Sequence, residues 1–438
     1  MRILSFIGIA AILISNTAEA QQVLRLEDAI AGALHKNYDI LLARNDSASY
    51  ALDEQYAFGL FIPRVNFTAS KVWNTNAQKQ ELASGTKRDT TGIRSNNMSA
   101  ALSASWTLFD GLRMFATREK LTRFRELGEL QVKEQMVNTV ADVINNYFGI
   151  VRQKQQLKAI EEQMSINEER VALAEKKLST GLGSGPELLQ ARVDLNAQKA
   201  SRLQQITLIA QLRDQLNQLI GLPNGEIYDV EDSIPVNTAL ALGDLSQDVE
   251  TSNPSLLIAQ KNLSIAELTL KERKADLLPV LNFNSAYNFS RTENKAVINN
   301  FTPLFNQNRG LNYGLGVTVP ILNGFNARRL VKQSQLDIKY QQLFYENQYS
   351  RINLAITNAY KDYELQKQLL ALEEDNIRLA KENVNIALER FKLGVSTWLE
   401  LREAQISLEL AYNRLIAARY NTKVAETELL RQKGELVK

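Results

Sequence analysis

Cysteine is absent from this 438-residue chain, which excludes disulfides, thiolate chemistry and Cys-ligated metals. It also excludes an acylated N-terminal cysteine, so any membrane attachment must come from the fold. Charge of one sign is lacking too. The 51 Lys and Arg against 49 Asp and Glu leave +2, which argues against nucleic acid as a partner. The single histidine, His35, falls on the expected surface of the first helix and reads as structural. No Ser-His-Asp set, metal cluster or phosphate loop is present, so neither an enzyme nor a metal or cofactor site is expected. The glycines between 181 and 185 lie in a helix-helix turn rather than after a strand, which is not a nucleotide motif.

Long apolar runs are scarce. The one near the N-terminus, Ile3 to Ile14, follows Met1-Arg2 and precedes Ala18-Glu19-Ala20. It falls short of the roughly 18 residues a spanning helix needs. With its small-x-small end it reads as a secretory signal peptide, residues 1–20, with the mature chain starting near Gln21. No later run could cross a bilayer as a helix, so any membrane crossing must use strands.

What the sequence does contain, it contains twice. Trp106 to Gly221 recurs without a gap as Val319 to Gly434. Leu108-Phe109-Asp110-Gly111 falls on Ile321-Leu322-Asn323-Gly324, Asn145 and Tyr147 on Asn358 and Tyr360, and Glu187 on Glu400. Upstream, Asn37 matches Asn253, Pro63 matches Pro279, and Asn66-Phe67 matches Asn282-Phe283. Two copies this long form a duplicated supersecondary unit rather than a solenoid. Two repeats, 21–221 and 253–438, are expected, joined by a non-helical connector over 222–252 that carries Pro223, Gly225, Pro235 and Gly243.

Each repeat reads as helix, β-hairpin, very long helix and return helix. Residues 26–60 form the first helix, which Pro63 ends. The period then becomes two: Met98, Leu102, Trp106 and Leu108 alternate with Ser99, Ser103, Ser105 and Thr107. Hairpins are expected over 65–109 and 280–322, with long polar loops at 76–97 and about 292–309. Such strands match a transmembrane barrel or a soluble sheet whose apolar face covers a core. Long helices follow over 112–178 and 325–393, each reaching about 100 Å if continuous. In the second, Ile352, Ile356, Tyr360, Tyr363, Ile377, Ala380, Val384, Ala387 and Phe391 keep helical spacing. After turns at 179–186 and 393–397, return helices run over 186–220 and 397–432. Ser184 or Thr397 serves as cap and Pro186 stands at a helix start.

Four strands cannot close a membrane barrel, since the smallest have about eight and an open edge in lipid leaves backbone groups unpaired. Two chains would supply eight strands and three would supply twelve.

This order of elements, with Pro63 and Pro279 at helix-to-strand junctions, Asp110-Gly111 and Asn323-Gly324 at strand-to-helix junctions, and Asn253-Pro254, resembles the TolC-like outer-membrane efflux channels over nearly the whole mature chain. The resemblance implies a mainly α protein with membrane β: a homotrimer whose shared twelve-stranded transmembrane barrel continues as a periplasmic α-barrel of long antiparallel helical hairpins. It implies a passive exit duct of a tripartite efflux or type I secretion system in the outer membrane of a Gram-negative bacterium. Its partners would be outer-membrane lipid, a periplasmic adaptor and an inner-membrane pump. The adaptor-contacting tips would be Thr180, Gly181, Leu182 and Gly183, and Leu393, Gly394, Val395 and Ser396. Glu400 and Glu403 would ring the narrowest point; read alone, they also fit solvated carboxylates at a helix start. Well-known members link their tips through an Asp before the first tip glycine and an Arg after the second. This chain has Ser179 and Ser396 there. A soluble periplasmic coiled-coil scaffold is the contrasting reading, and it would need no barrel strands.

Overall fold

Period-two alternation over the first hairpin becomes two long paired strands in the computed structural model, which describes residues 23–237, 239–240, 249–295 and 303–437. The expected signal peptide, 1–20, lies outside the described residues. In chain order the elements are β1 (Val23–Leu24), α1 (Leu26–Lys36), α2 (Tyr38–Gln55), β2 (Arg64–Glu81), β3 (Lys87–Phe109), α3 (Arg113–Ser179), α4 (Gly185–Ile220) and β4 (Asp229–Val230). Then come α5 (Pro254–Ala275), β5 (Val280–Asn294), β6 (Phe305–Thr318), α6 (Asn326–Lys392) and α7 (Trp398–Lys433). Single helical turns lie at Tyr56–Leu60 and Val249–Ser252.

The described chain divides into two compact units. One comprises the chain up to Leu42, Lys133–Asn253 and Ile352 onward. An apolar cluster in it joins Ala29 and Ala33 of α1 to Val140, Val143, Tyr147, Phe148, Ile150 and Val151 of α3 and to Ile209, Leu216 and Ile220 of α4. Fully burying side chains of this size contributes about 1.5–3 kcal/mol each. The Tyr147 hydroxyl is satisfied inside this cluster: it donates to the Leu24 carbonyl at 2.8 Å and accepts from the Glu231 amide at 3.2 Å. Beside it, β1 and β4 pair in parallel. The helical stripe expected from spacing faces inward, with Ile352, Ile356, Tyr363, Ile377, Ala380, Val384 and Phe391 buried.

The second unit comprises Ala43–Val132 and Pro254–Arg351. It holds an antiparallel sheet in the order β2-β3-β5-β6, so β2 and β6 are its two edges. The register places Phe67, Leu102, Tyr287 and Leu311 in one row across all four strands. One position along, Asn66, Ser103, Ala286 and Asn312 form the neighbouring row. Successive strand residues face opposite sides, so one face is aromatic and aliphatic and the other is largely polar. Ion pairs join α3 to α5 here: Lys120 to Glu272, and Lys261 to Glu126 at 2.6 Å. Gly128 of α3 lets the helix approach α2, since a Cβ there would lie 2.8 Å from the Tyr50 ring.

Five expectations are corrected. The connector over 222–252 is not wholly non-helical: Val249–Ser252 form a helical turn, in a stretch past Gly243 that holds no proline or glycine before Pro254. Residues 26–60 are not one helix: Asn37 takes an extended backbone, and its side-chain oxygen accepts from the amides of Asp39 and Ile40, which ends α1 and caps α2. The expected loop at 76–97 is mostly strand, with a short turn between Glu81 and Lys87; backbone pairing continues where side-chain polarity stops alternating. The expected loop at 292–309 is strand at both ends, since β5 runs to Asn294 and β6 starts at Phe305; residues 296–302 of it lie outside the described residues. The second hairpin stops at Thr318 rather than 322, because Pro320 has no amide to donate to a ladder.

Candidate gate and docking tips

Two hairpin tips are built by the same local rules. At Gly181 the helix ends in a left-handed residue, φ 74°, whose amide donates to Leu178, while Leu182 donates to Lys177. At Gly394, also φ 74°, the bonds run to Phe391 and from Val395 to Arg390. Glycine carries this closing motif because a Cβ is disfavoured at positive φ. The return helices then start on caps: Ser184 accepts from the Glu187 amide and Thr397 from the Glu400 amide, both at 3.4 Å. The predicted tip residues are therefore brought together as two turns. They present exposed aliphatic side chains, with Leu182 84%, Leu393 76% and Val395 67% accessible.

Glu400 and Glu403 lie three apart on α7, and both are exposed. The intervening Leu401 and the following Ala404 and Gln405 are buried, so the two carboxylates point away from the unit's own core. The Glu400 carboxylate accepts from the Thr397 hydroxyl at 3.3 Å, so the cap residue's side chain meets both the amide and the carboxylate of Glu400. The Glu403 carboxylate makes no hydrogen bond or ion pair among the described residues.

In the second unit the strand-to-helix junctions share a backbone but differ in surroundings. Gly111 and Leu112 are left-handed at φ 73° and 71°, and Gly324 and Phe325 at 63° and 60°. Asp110 is buried, and its carboxylate accepts from the Met114 amide at 3.1 and 3.2 Å. Asn323 is exposed and its carbonyl accepts from the Asn326 amide at 3.3 Å. Pro63 and Pro279 directly precede β2 and β5. His35 is exposed in the last turn of α1.

Sequence reasoning missed a polar cluster in the first unit. Arg170 of α3 donates to Asp194 of α4, which also accepts from Gln190 at 2.8 Å. Arg402 Nε of α7 lies 3.4 Å from the same carboxylate. Arg170, Asp194 and Arg402 stand on three different helices, and only the helix packing brings them together.

Paired long helical hairpins, and a four-stranded sheet with an exposed apolar face, define the fold of an outer-membrane channel. Comparison with solved structures agrees. The outer-membrane channel OprN superposes with a TM-score of 0.78 over 94% of this chain and 90% of that one, at 18% identity. The sequence profile described as "Outer membrane efflux protein" matches residues 30–222 and again 245–435, and the chain belongs to that family. Relatives include the outer membrane efflux protein BepC of Brucella suis, 24% identical over 98% of this chain and 90% of its own length. The cation efflux system protein CusC of Escherichia coli K12 is 24% identical over 91% of this chain and 84% of its own. Family members are channels, and the family resides in the outer membrane of Gram-negative bacteria.

Proposed function

We propose that the chain is one protomer of an outer-membrane exit duct through which cargo passes without chemical change. The observation that carries this is the row Phe67-Leu102-Tyr287-Leu311, exposed on a sheet with two free edges. A soluble scaffold would bury that row in a core, whereas lipid suits it as it stands. Free edges cannot persist in lipid, so each protomer contributes four strands to a wall closed by its neighbours. Three copies give the twelve-stranded barrel.

In this reading the repeats 21–221 and 253–438, joined by 222–252, line one periplasmic tunnel. The tips 180–183 and 393–396 offer aliphatic side chains to a periplasmic adaptor, which couples the duct to an inner-membrane pump. Three copies of Glu400 and Glu403 place six carboxylates around one axis, attracting cations and repelling anions. Cargo is set by the pump, and both small molecules and polypeptides fit such a conduit. Sequential extraction tests the reading: the protein should resist salt and alkaline washes, require detergent, and conduct in planar bilayers. Release by salt wash contradicts it.

A further inference from the structure

The apolar face of the sheet changes chemistry along its length. Beyond the strand-to-helix junctions its rows carry no charge, from Trp106-Phe283-Leu315 to Phe67-Leu102-Tyr287-Leu311. The next row, Ala69-Ala100-Phe289-Arg309, holds the first cation. Lys71-Met98-Arg291-Gln307 follows, and Arg94 stands two rows further, opposite Thr75. Along β5, Leu281 to Phe289 rises about 27 Å. Barrel strands tilt by about 35–45°, so that rise gives about 20 Å of height, most of the hydrocarbon band of such walls. The cations begin where lipid tails end. On the opposite face the interleaved rows, Ser70-Ser99-Ser290-Asn308 and Val72-Asn97-Thr292-Asn306, are uncharged. Charge at this height therefore faces the lipid side rather than the lumen.

These cations are under-compensated. Arg291 pairs with Glu293, whereas Lys71, Arg94 and Arg309 meet no carboxylate among the described residues. Farther out the same hairpin matches its charges, Lys79 with Asp89 at 2.9 Å and Lys87 with Glu81 at 3.6 Å. Aromatic rings accompany the cations: Lys71 Nζ lies 5.1 Å from the Trp73 ring centre and Arg291 Cζ 5.2 Å from that of Phe305. Both rings are exposed, as suits the boundary between lipid tails and headgroups. Charges that guard sheet edges against strand addition would account for Lys71 and Arg309, on β2 and β6. They would not account for Arg94 and Arg291, on the inner strands β3 and β5. Like charges on neighbouring strands repel, so the grouping is favourable only around an anion.

We propose that Lys71, Arg291 and Arg309 form a binding surface for an outer-leaflet glycolipid that carries more than one phosphate, with Trp73 and Phe305 beside its headgroup. Arg291 and Arg309 are diagonal neighbours on adjacent strands, about 7–8 Å apart at the backbone. Lys71 stands two strands from Arg291, about 10 Å away. A single phosphate cannot meet all three, and two can. This rests on the duct reading above, which turns the helix-bearing end of the sheet toward the periplasm and the cationic end outward.

The test is an equilibrium titration of the full-length protein, held in uncharged detergent, with diphosphoryl lipid A and separately with phosphatidylglycerol. Wild type should bind the diphosphoryl lipid at least about fivefold more tightly, and added salt should weaken that binding. Lys71→Gln with Arg309→Gln should weaken it by about tenfold or more. Arg202→Ala serves as control, since its 2.9 Å pair with Glu161 joins α4 to α3; its binding should match wild type. If the double variant fails to assemble, the two single variants decide the matter, each expected to bind about fivefold more weakly. Wild-type affinity in the variants overturns the belt. Equal affinity of wild type for the two lipids overturns the assignment to a lipid with several phosphates. Both outcomes leave the duct reading intact, whereas release of the wild-type protein from membranes by a salt wash overturns that reading itself.

Discussion

Asn37 Nδ2 donates to the carbonyl of Leu219 across 3.0 Å. The same contact recurs in the second repeat, where Asn253 Nδ2 donates to the carbonyl of Gln432 at 2.7 Å. Each Asn precedes a helix and ties its start to the last turn of a return helix, so the duplication preserves a bond as well as a sequence. Asn37→Ala orphans the Leu219 carbonyl and uncaps the amides of Asp39 and Ile40. The expected loss is about 1–3 kcal/mol, with a similar loss for Asn253→Ala, read as lower unfolding midpoints in detergent.

The two junction glycines should respond unequally. Alanine at either must adopt positive φ, which costs about 1–2 kcal/mol. At Gly111 the new Cβ would also lie 2.7 Å from the Ala275 carbonyl oxygen and 2.9 Å from Leu278 Cβ, whereas at Gly324 nothing lies within 4 Å in the chain itself. Gly111→Ala should therefore be the more destabilising by a further 1–3 kcal/mol or so. Thermal melts of the two variants, measured side by side, check the order.

Acid should weaken the fold through Asp194 and Glu428. Burial pushes both carboxyls up, but hydrogen bonds from Arg170 and Gln190 to Asp194, and from Arg431 and Gln432 to Glu428, hold them low. A carboxyl depressed below its ordinary 3.8 or 4.5 contributes stability that is present above that value. The contribution is lost as pH falls through the lower folded value. The stability gap between wild type and Asp194→Asn should therefore be full at pH 7 and close below about pH 4. Glu409 has the opposite sign, because burial raises it above 4.5. Its burial costs stability once pH exceeds the ordinary value, so Glu409→Gln should stabilise the neutral-pH protein and do little in acid. Denaturant titrations across pH 3–8 separate the two behaviours.

Replacing both carboxylates proposed for the gate, Glu400→Ala with Glu403→Ala, should raise conductance and lower cation preference. The readout is the reversal potential under a salt gradient, which should move toward zero. Unchanged selectivity would remove both residues from the constriction and leave Glu400 with its role in capping α7.

Much of this architecture is legible in residue spacing. The stripe from Ile352 to Phe391 faces inward as its helical period implies, and the tip turns follow from Gly181, Gly394, Ser184 and Thr397, whose roles are local. Three features escaped because they are set by partners. Residues 76–97 pair as strands through backbone bonds, which polar side chains on both faces do not advertise. Asn37 breaks a helix that its neighbours' propensities would continue, since its cap and its bond to Leu219 prevail. Asp194 acquires its ion pairs from Arg170 and Arg402, on two other helices, and no periodicity along α4 marks it.

Native mass spectrometry of detergent-purified protein bears most directly on the shared wall. The open edges β2 and β6 call for neighbouring chains, and the proposed twelve-stranded wall predicts that the species carrying the sheet is an assembly of three identical chains. A folded, membrane-extracted protein with the mass of one chain would contradict it.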